Sequence, residues 1–78
     1  MRRKRKKNIN GKNDLDLHGI RHMDVDVIVE EHVLLHTTPF QIITGHSETM
    51  KQIVRQVLDR HAFKYQEGIL NAGCILVL

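Results

Sequence analysis

Met50, Ile53, Val54, Val57 and Leu58 fall at i, i+3, i+4, i+7 and i+8, a single apolar stripe along a helix that other elements must cover. Ser47 stands ahead of the stripe as a natural N-cap, and Glu48 follows in the first turn, where a negative charge is favoured. On both sides the pattern shortens to strand period. Phe40-Gln41-Ile42-Ile43-Thr44 is too apolar for a strand exposed on both faces, and Phe63-Lys64-Tyr65-Gln66-Glu67 alternates. An earlier helix is expected from about Met23 to His36, with Val25, Ile28, Val29 and His32/Val33 at helical spacing. Its valines would also suit a strand, but its length favours a helix, and Thr37-Thr38-Pro39 stops it. A first strand covers about Asp14 to Leu17. After turns at Gly68 and at Asn71-Ala72-Gly73, a last strand runs from Cys74 to Leu78. The order is βαβαββ, an α/β chain of the α+β two-layer type, with a four-stranded mixed sheet and two helices.

The chain is long enough for one domain, expected over 14–78 and close to the lower size for a self-supporting core. Residues 1–13 form a basic tail of low apolar content that is expected to stay disordered. Its charge is set apart from the rest. Arg2, Arg3, Lys4, Arg5, Lys6, Lys7 and Lys12 precede the first strand with no acid among them, while from Asn13 onward five basic residues face nine acidic ones, a net −4. The body does not attract polyanions overall, so the long-range pull comes from the tail. Such an arm is a common footprint of nucleic-acid contact, and it also serves as a solubility or localisation segment. No apolar run follows the basic block and none spans a bilayer, which excludes a secretion signal and a membrane partner. The lone Cys74 excludes an internal disulfide and a cysteine zinc cage, and fits a reducing, cytoplasmic setting.

Two strand-to-helix turns carry the chemistry. In Leu15-Asp16-Leu17-His18-Gly19, the acid and the imidazole share one side of the strand and stand at its end. The imidazole can move a proton near neutral pH; the carboxylate can orient it, prepare a water or hold a divalent cation such as magnesium. The same pair also reads as a capping acid beside a histidine satisfied by backbone. In Thr44-Gly45-His46-Ser47, a glycine turn opens a helix, where unpaired amides and the positive end of the dipole suit a phosphate. Thr44 and Ser47 add hydroxyls there, and His46 can donate to a phosphate or transfer a proton. Lys51 and Arg55 lie four residues apart and extend a basic track along the helix. An ordinary capped loop with a solvated basic stripe is the other reading. If the two strands are parallel neighbours, both turns lie at one sheet edge, the ligand edge of open α/β folds. His18/His22 and His32/His36 have pair spacing for a metal but no third ligand at matching distance, so no metal site is expected.

Taken together, Leu15-Asp16-Leu17-His18-Gly19, the following helix, Ile42-Ile43-Thr44-Gly45, Met50-Lys51, Ile53-Val54 and the terminal Gly73-x-Ile75-x-Val77 resemble the Smr (small MutS-related) domain over about Asp14 to Leu78. The resemblance implies a fold similar to the C-terminal domain of translation initiation factor three. It implies nucleic-acid binding and an endonuclease that nicks DNA or cleaves RNA, with Asp16 and His18 as cleavage residues and Thr44 and Gly45 on the substrate backbone. The chain departs from the family's frequent HGxGxG turn: Thr44 replaces the histidine, Gly45 alone is retained, and His46-Ser47-Glu48 follow. His46 is therefore the candidate substitute imidazole. A non-catalytic module that reads structured nucleic acid is the alternative expectation. DNA or RNA preference and oligomeric state are not legible.

Overall fold

A computed structural model describes residues 13–68 and 72–78. The elements run β1 (Leu15–Asp16), α1 (His22–Leu35), β2 (Phe40–Ile43), α2 (Glu48–Arg60), β3 (Tyr65–Glu67) and β4 (Cys74–Val77). The basic residues Arg2 to Lys7, and with them all of the expected disordered tail but Asn13, lie outside the described residues. The sheet order is β1-β2-β4-β3, with β1 parallel to β2 and the other two pairs antiparallel. This is the expected mixed four-stranded sheet with two helices. Alternation along β2 turns Phe40 and Ile42 inward. They meet Leu17, Ile75 and Val77 from the sheet, Val25, Val29 and Val33 from α1, and Met50, Val54, Val57 and Leu58 from α2. Cys74 is free and buried.

Side chains shorten β1 and fasten its start. The Asp14 carboxylate, rather than a strand carbonyl, accepts the Gln41 amide at 2.9 Å. Asn13 donates its side-chain amide to the Thr37 carbonyl, and its own carbonyl meets His32 Nε2. These contacts tie Asn13 to α1 and to the segment that follows it. At the opposite edge of the sheet, β3 starts two residues later than the alternation suggests. Ala62 adopts a φ of 60°, its amide donates to the Asp59 carbonyl, and the Phe63 amide donates to the Leu58 carbonyl. These paired bonds form the left-handed closure that caps a helix C-terminus, and they draw Phe63 against the core instead of into the sheet.

α1 leaves part of its apolar surface outside the core: Leu35 is 70% exposed, and Met23, Val27 and Leu34 are also exposed. The helix is apolar on two sides and buries only one.

Candidate nucleic-acid interface

β1 and β2 pair in parallel with Leu15 opposite Ile42 and Asp16 opposite Ile43, and the Leu17 amide extends the ladder to the Ile43 carbonyl at 3.0 Å. Both strands therefore end at the same level, and the turns into α1 and α2 lie side by side. The Asp16–His18 couple and the Gly45 bend share one rim.

The first turn is built by its own residues. Asp16 Oδ1 accepts the His18 amide at 2.9 Å, the Leu17 carbonyl accepts the Ile20 amide at 3.0 Å, and Gly19 takes a φ of 80°. A Cβ on Gly19 would meet nothing within 4 Å, so its glycine is required by backbone conformation and not by close approach. Asp16 and His18 are exposed, and the His18 ring makes no hydrogen bond among the described residues. One carboxylate oxygen is engaged by the turn; the other faces solvent.

The second turn is tied to β4. The amides of Thr44 and Gly45 both donate to the Gly73 carbonyl, at 2.8 and 3.0 Å. The Thr44 hydroxyl lies 3.1 Å from that carbonyl and 2.9 Å from the Gly45 carbonyl, in a residue only 6% exposed. Thr44 thus braces the turn, and the Gly45 amide is not directed at a ligand. The donors left at the rim belong to the start of α2. Ser47 Oγ accepts the Met50 amide at 3.1 Å, while the Glu48 and Thr49 amides have no acceptor among the described residues. His46 is exposed beside them.

The expected basic track divides. Arg55 places Nε and Nη2 on Glu67 at 2.6 and 2.9 Å and Nη1 on Glu48 at 3.0 Å. The Glu67 and Glu48 carboxylates hold the guanidinium far above its ordinary pKa, and Arg55 in turn holds Glu67 below the usual range. Its charge is spent on fastening α2 to β3. Lys51, by contrast, has no ion pair among the described residues.

The structure adds His22. As the first residue of α1, it brings Nε2 to 3.5 Å from Ser47 Oγ, a close approach that links the starts of both helices. The sequence pairs it with His18 as metal-ligand spacing. In the fold, however, His18 lies in the turn and His22 on the helix, so no shared helical face joins them. The His32 and His36 rings stack at 4.2 Å, with His32 Nε2 on the Asn13 carbonyl and His36 Nδ1 on the His32 carbonyl. No group of three or more His, Cys, Asp or Glu among the described residues is placed to hold a metal ion. No helix among them is long and apolar enough to cross a membrane.

Comparison with protein-family models, curated proteins and solved structures returns no match.

Proposed function

We propose that the chain is an Smr-type, cytoplasmic nucleic-acid-binding protein that acts as an endonuclease, hydrolysing a phosphodiester held at the rim where β1 and β2 end. The observation that supports this reading is the parallel register of β1 and β2, which ends both strands at one level and puts the turn that holds Asp16 and His18 next to the turn that opens α2. In this reading the segment Arg2 to Lys7 draws in the polyanion, and a phosphate rests near the Glu48 and Thr49 amides with Lys51 behind them. His18 or His46 moves the proton, and Asp16 orients the attacking water through its outward oxygen. A divalent cation such as magnesium is compatible with one carboxylate and substrate oxygens as ligands, and it would supply charge neutralisation there.

The test is nicking of supercoiled plasmid and cleavage of structured RNA, with and without magnesium, by the wild type and by His18→Ala. Binding retained with cleavage lost supports the reading; cleavage undiminished in both His18→Ala and Asp16→Ala removes these residues from the mechanism.

A second reading, a module that binds structured nucleic acid without cutting it, is favoured by the bonding of the second turn. Thr44 and Gly45 are turned toward Gly73, and Arg55 is held by two carboxylates. Salt-sensitive gel shifts without any strand scission decide for it.

A further inference from the structure

The outward side of α1 is apolar where the described residues leave it uncovered. Met23, Val27 and Leu34 are 77%, 66% and 60% exposed. At roughly 100° per residue they lie within about 40° of arc, a stripe nearly opposite the buried Val25, Val29 and Val33. Leu35 continues the surface toward a groove of about 280 Å³ between α1 and β1, lined by Leu15, Ile28, Glu31, His32, Leu35 and His36. A helix apolar on both sides is the pattern of one covered on both sides.

Charge selects the occupant. α1 carries Asp24, Asp26, Glu30 and Glu31 and no Lys or Arg. Arg21 lies 3.5 Å from Asp24, and Arg60 serves Asp26 and Glu30 at 2.9 and 3.7 Å. Glu31, at the mouth of the groove, has no ion pair among the described residues. Four carboxylates against these two guanidiniums leave this side of α1 net negative, so a second copy would set like charge against like charge, and an anionic membrane would be repelled in the same way. The chain's own Arg2 to Lys7 could meet the acids but has no apolar side chain to cover the stripe.

We infer that the outer face of α1, with the groove beside it, docks a basic amphipathic helix of another protein. The apolar face of that helix covers Met23, Val27 and Leu34, a large apolar side chain fills the groove, and a Lys or Arg meets Glu31. This is helix-in-groove recognition, and it is independent of the chemistry at the rim.

The test uses the full chain and a fluorescein-labelled synthetic helix with Leu at three- and four-residue spacing and Lys elsewhere, read by fluorescence anisotropy. A scrambled peptide of the same composition is the control. The expected result is binding about tenfold or more tighter than the scramble, weakened about tenfold or more by Val27→Ser with Leu34→Ser. Glu31→Lys alone weakens it about threefold or more. All three positions are on the helix surface, and circular dichroism checks that the helices persist. Equal affinity for the scramble, or unchanged affinity in the variants, overturns the inference. So does a dimer in sedimentation that the Val27 and Leu34 changes dissociate, since a second copy then occupies the face. Glutamine at Arg2, Arg3, Lys4, Arg5, Lys6 and Lys7 should leave the peptide's affinity unchanged. A gain of about tenfold would assign the face to the chain's own tail and equally overturn it.

Discussion

Asp16 has two separable duties, and a pair of substitutions tells them apart. Its Oδ1 accepts the His18 amide and so closes the turn after β1; its outward oxygen is the one available for chemistry. Asp16→Asn keeps an acceptor in the same place and removes the negative charge, whereas Asp16→Ala removes both. The hydrogen bond is solvent-exposed, so its loss should cost about 0.5–1.5 kcal/mol. For a domain of this size, that lowers Tm by roughly 2–12 °C in Asp16→Ala, with Asp16→Asn close to the wild type. Cleavage should follow a different order. If the carboxylate orients a water, both variants should lose about 10²–10⁴-fold in rate while gel-shift affinity changes little. Thermal denaturation and plasmid nicking on the same three proteins check both halves. Wild-type cleavage in Asp16→Asn with a deficit only in Asp16→Ala would refute the catalytic assignment, leaving Asp16 as a turn residue. An equal loss of Tm in both variants would refute the turn geometry instead.

Ala62→Gly should stabilise the protein by about 0.5–1 kcal/mol, because the left-handed backbone at Ala62 strains a Cβ by more than glycine's extra chain entropy costs; urea denaturation measures it. Burial pushes His32 below the ordinary imidazole range, outweighing the opposing pull of the Asn13 carbonyl. The folded state therefore favours the neutral ring. Stability is full above about pH 6.5, falls as pH drops through that value and levels below the lowered folded pKa; His32→Gln should flatten this slope in urea titrations between pH 8 and 5. Lys51→Gln should weaken nucleic-acid binding measurably in gel shifts, whereas Arg55→Gln should show up mainly as lost stability, since its guanidinium already serves Glu67 and Glu48. Glutamine at all six positions from Arg2 to Lys7 should reduce the slope of log affinity against log salt by about 5 if each cation meets a phosphate.

What the sequence makes legible is periodic, and what it hides is pairwise. The stripe from Met50 to Leu58 and the Ser47 cap are visible because their partners lie within one or two helical turns, and the fold reproduces them. The parallel pairing of β1 and β2 follows from the strand-helix-strand order, and it brings the two candidate turns to a common rim. The bonding of each turn is another matter. Asp16 reads from the sequence either as a free acid or as a capping one, and its bond to the His18 amide, only two residues on, shows the capping role. Thr44 and Gly45 look like a phosphate cradle until Gly73, far along the chain, is found accepting from both amides. Arg55 looks like the continuation of Lys51 because i, i+4 spacing is visible, while its partner Glu67 belongs to another element. The approach of His22 to Ser47 is hidden for the same reason, since it spans 25 residues, whereas the spacing of His22 from His18 is visible although the helix begins at His22 itself.

These differences share one physical cause. Short polar residues and glycines at strand-to-helix turns are the types that both build turns and bind anions, because each task needs side-chain oxygens, exposed amides and positive φ. Composition cannot separate the two uses; only the acceptor opposite each amide can. At this rim that acceptor is Gly73 for Thr44 and Gly45, and no described residue provides one for Glu48 and Thr49. A phosphate seated here should therefore track the start of α2 and not the glycine. Gly45→Ala, which a φ of 69° penalises, should lower stability more than intrinsic affinity, whereas Ser47→Pro should impair both by removing the cap and reshaping the turn. Affinities measured on the folded fraction separate the two. If Gly45→Ala abolishes binding while the melting curve is unchanged, the phosphate sits on the glycine after all.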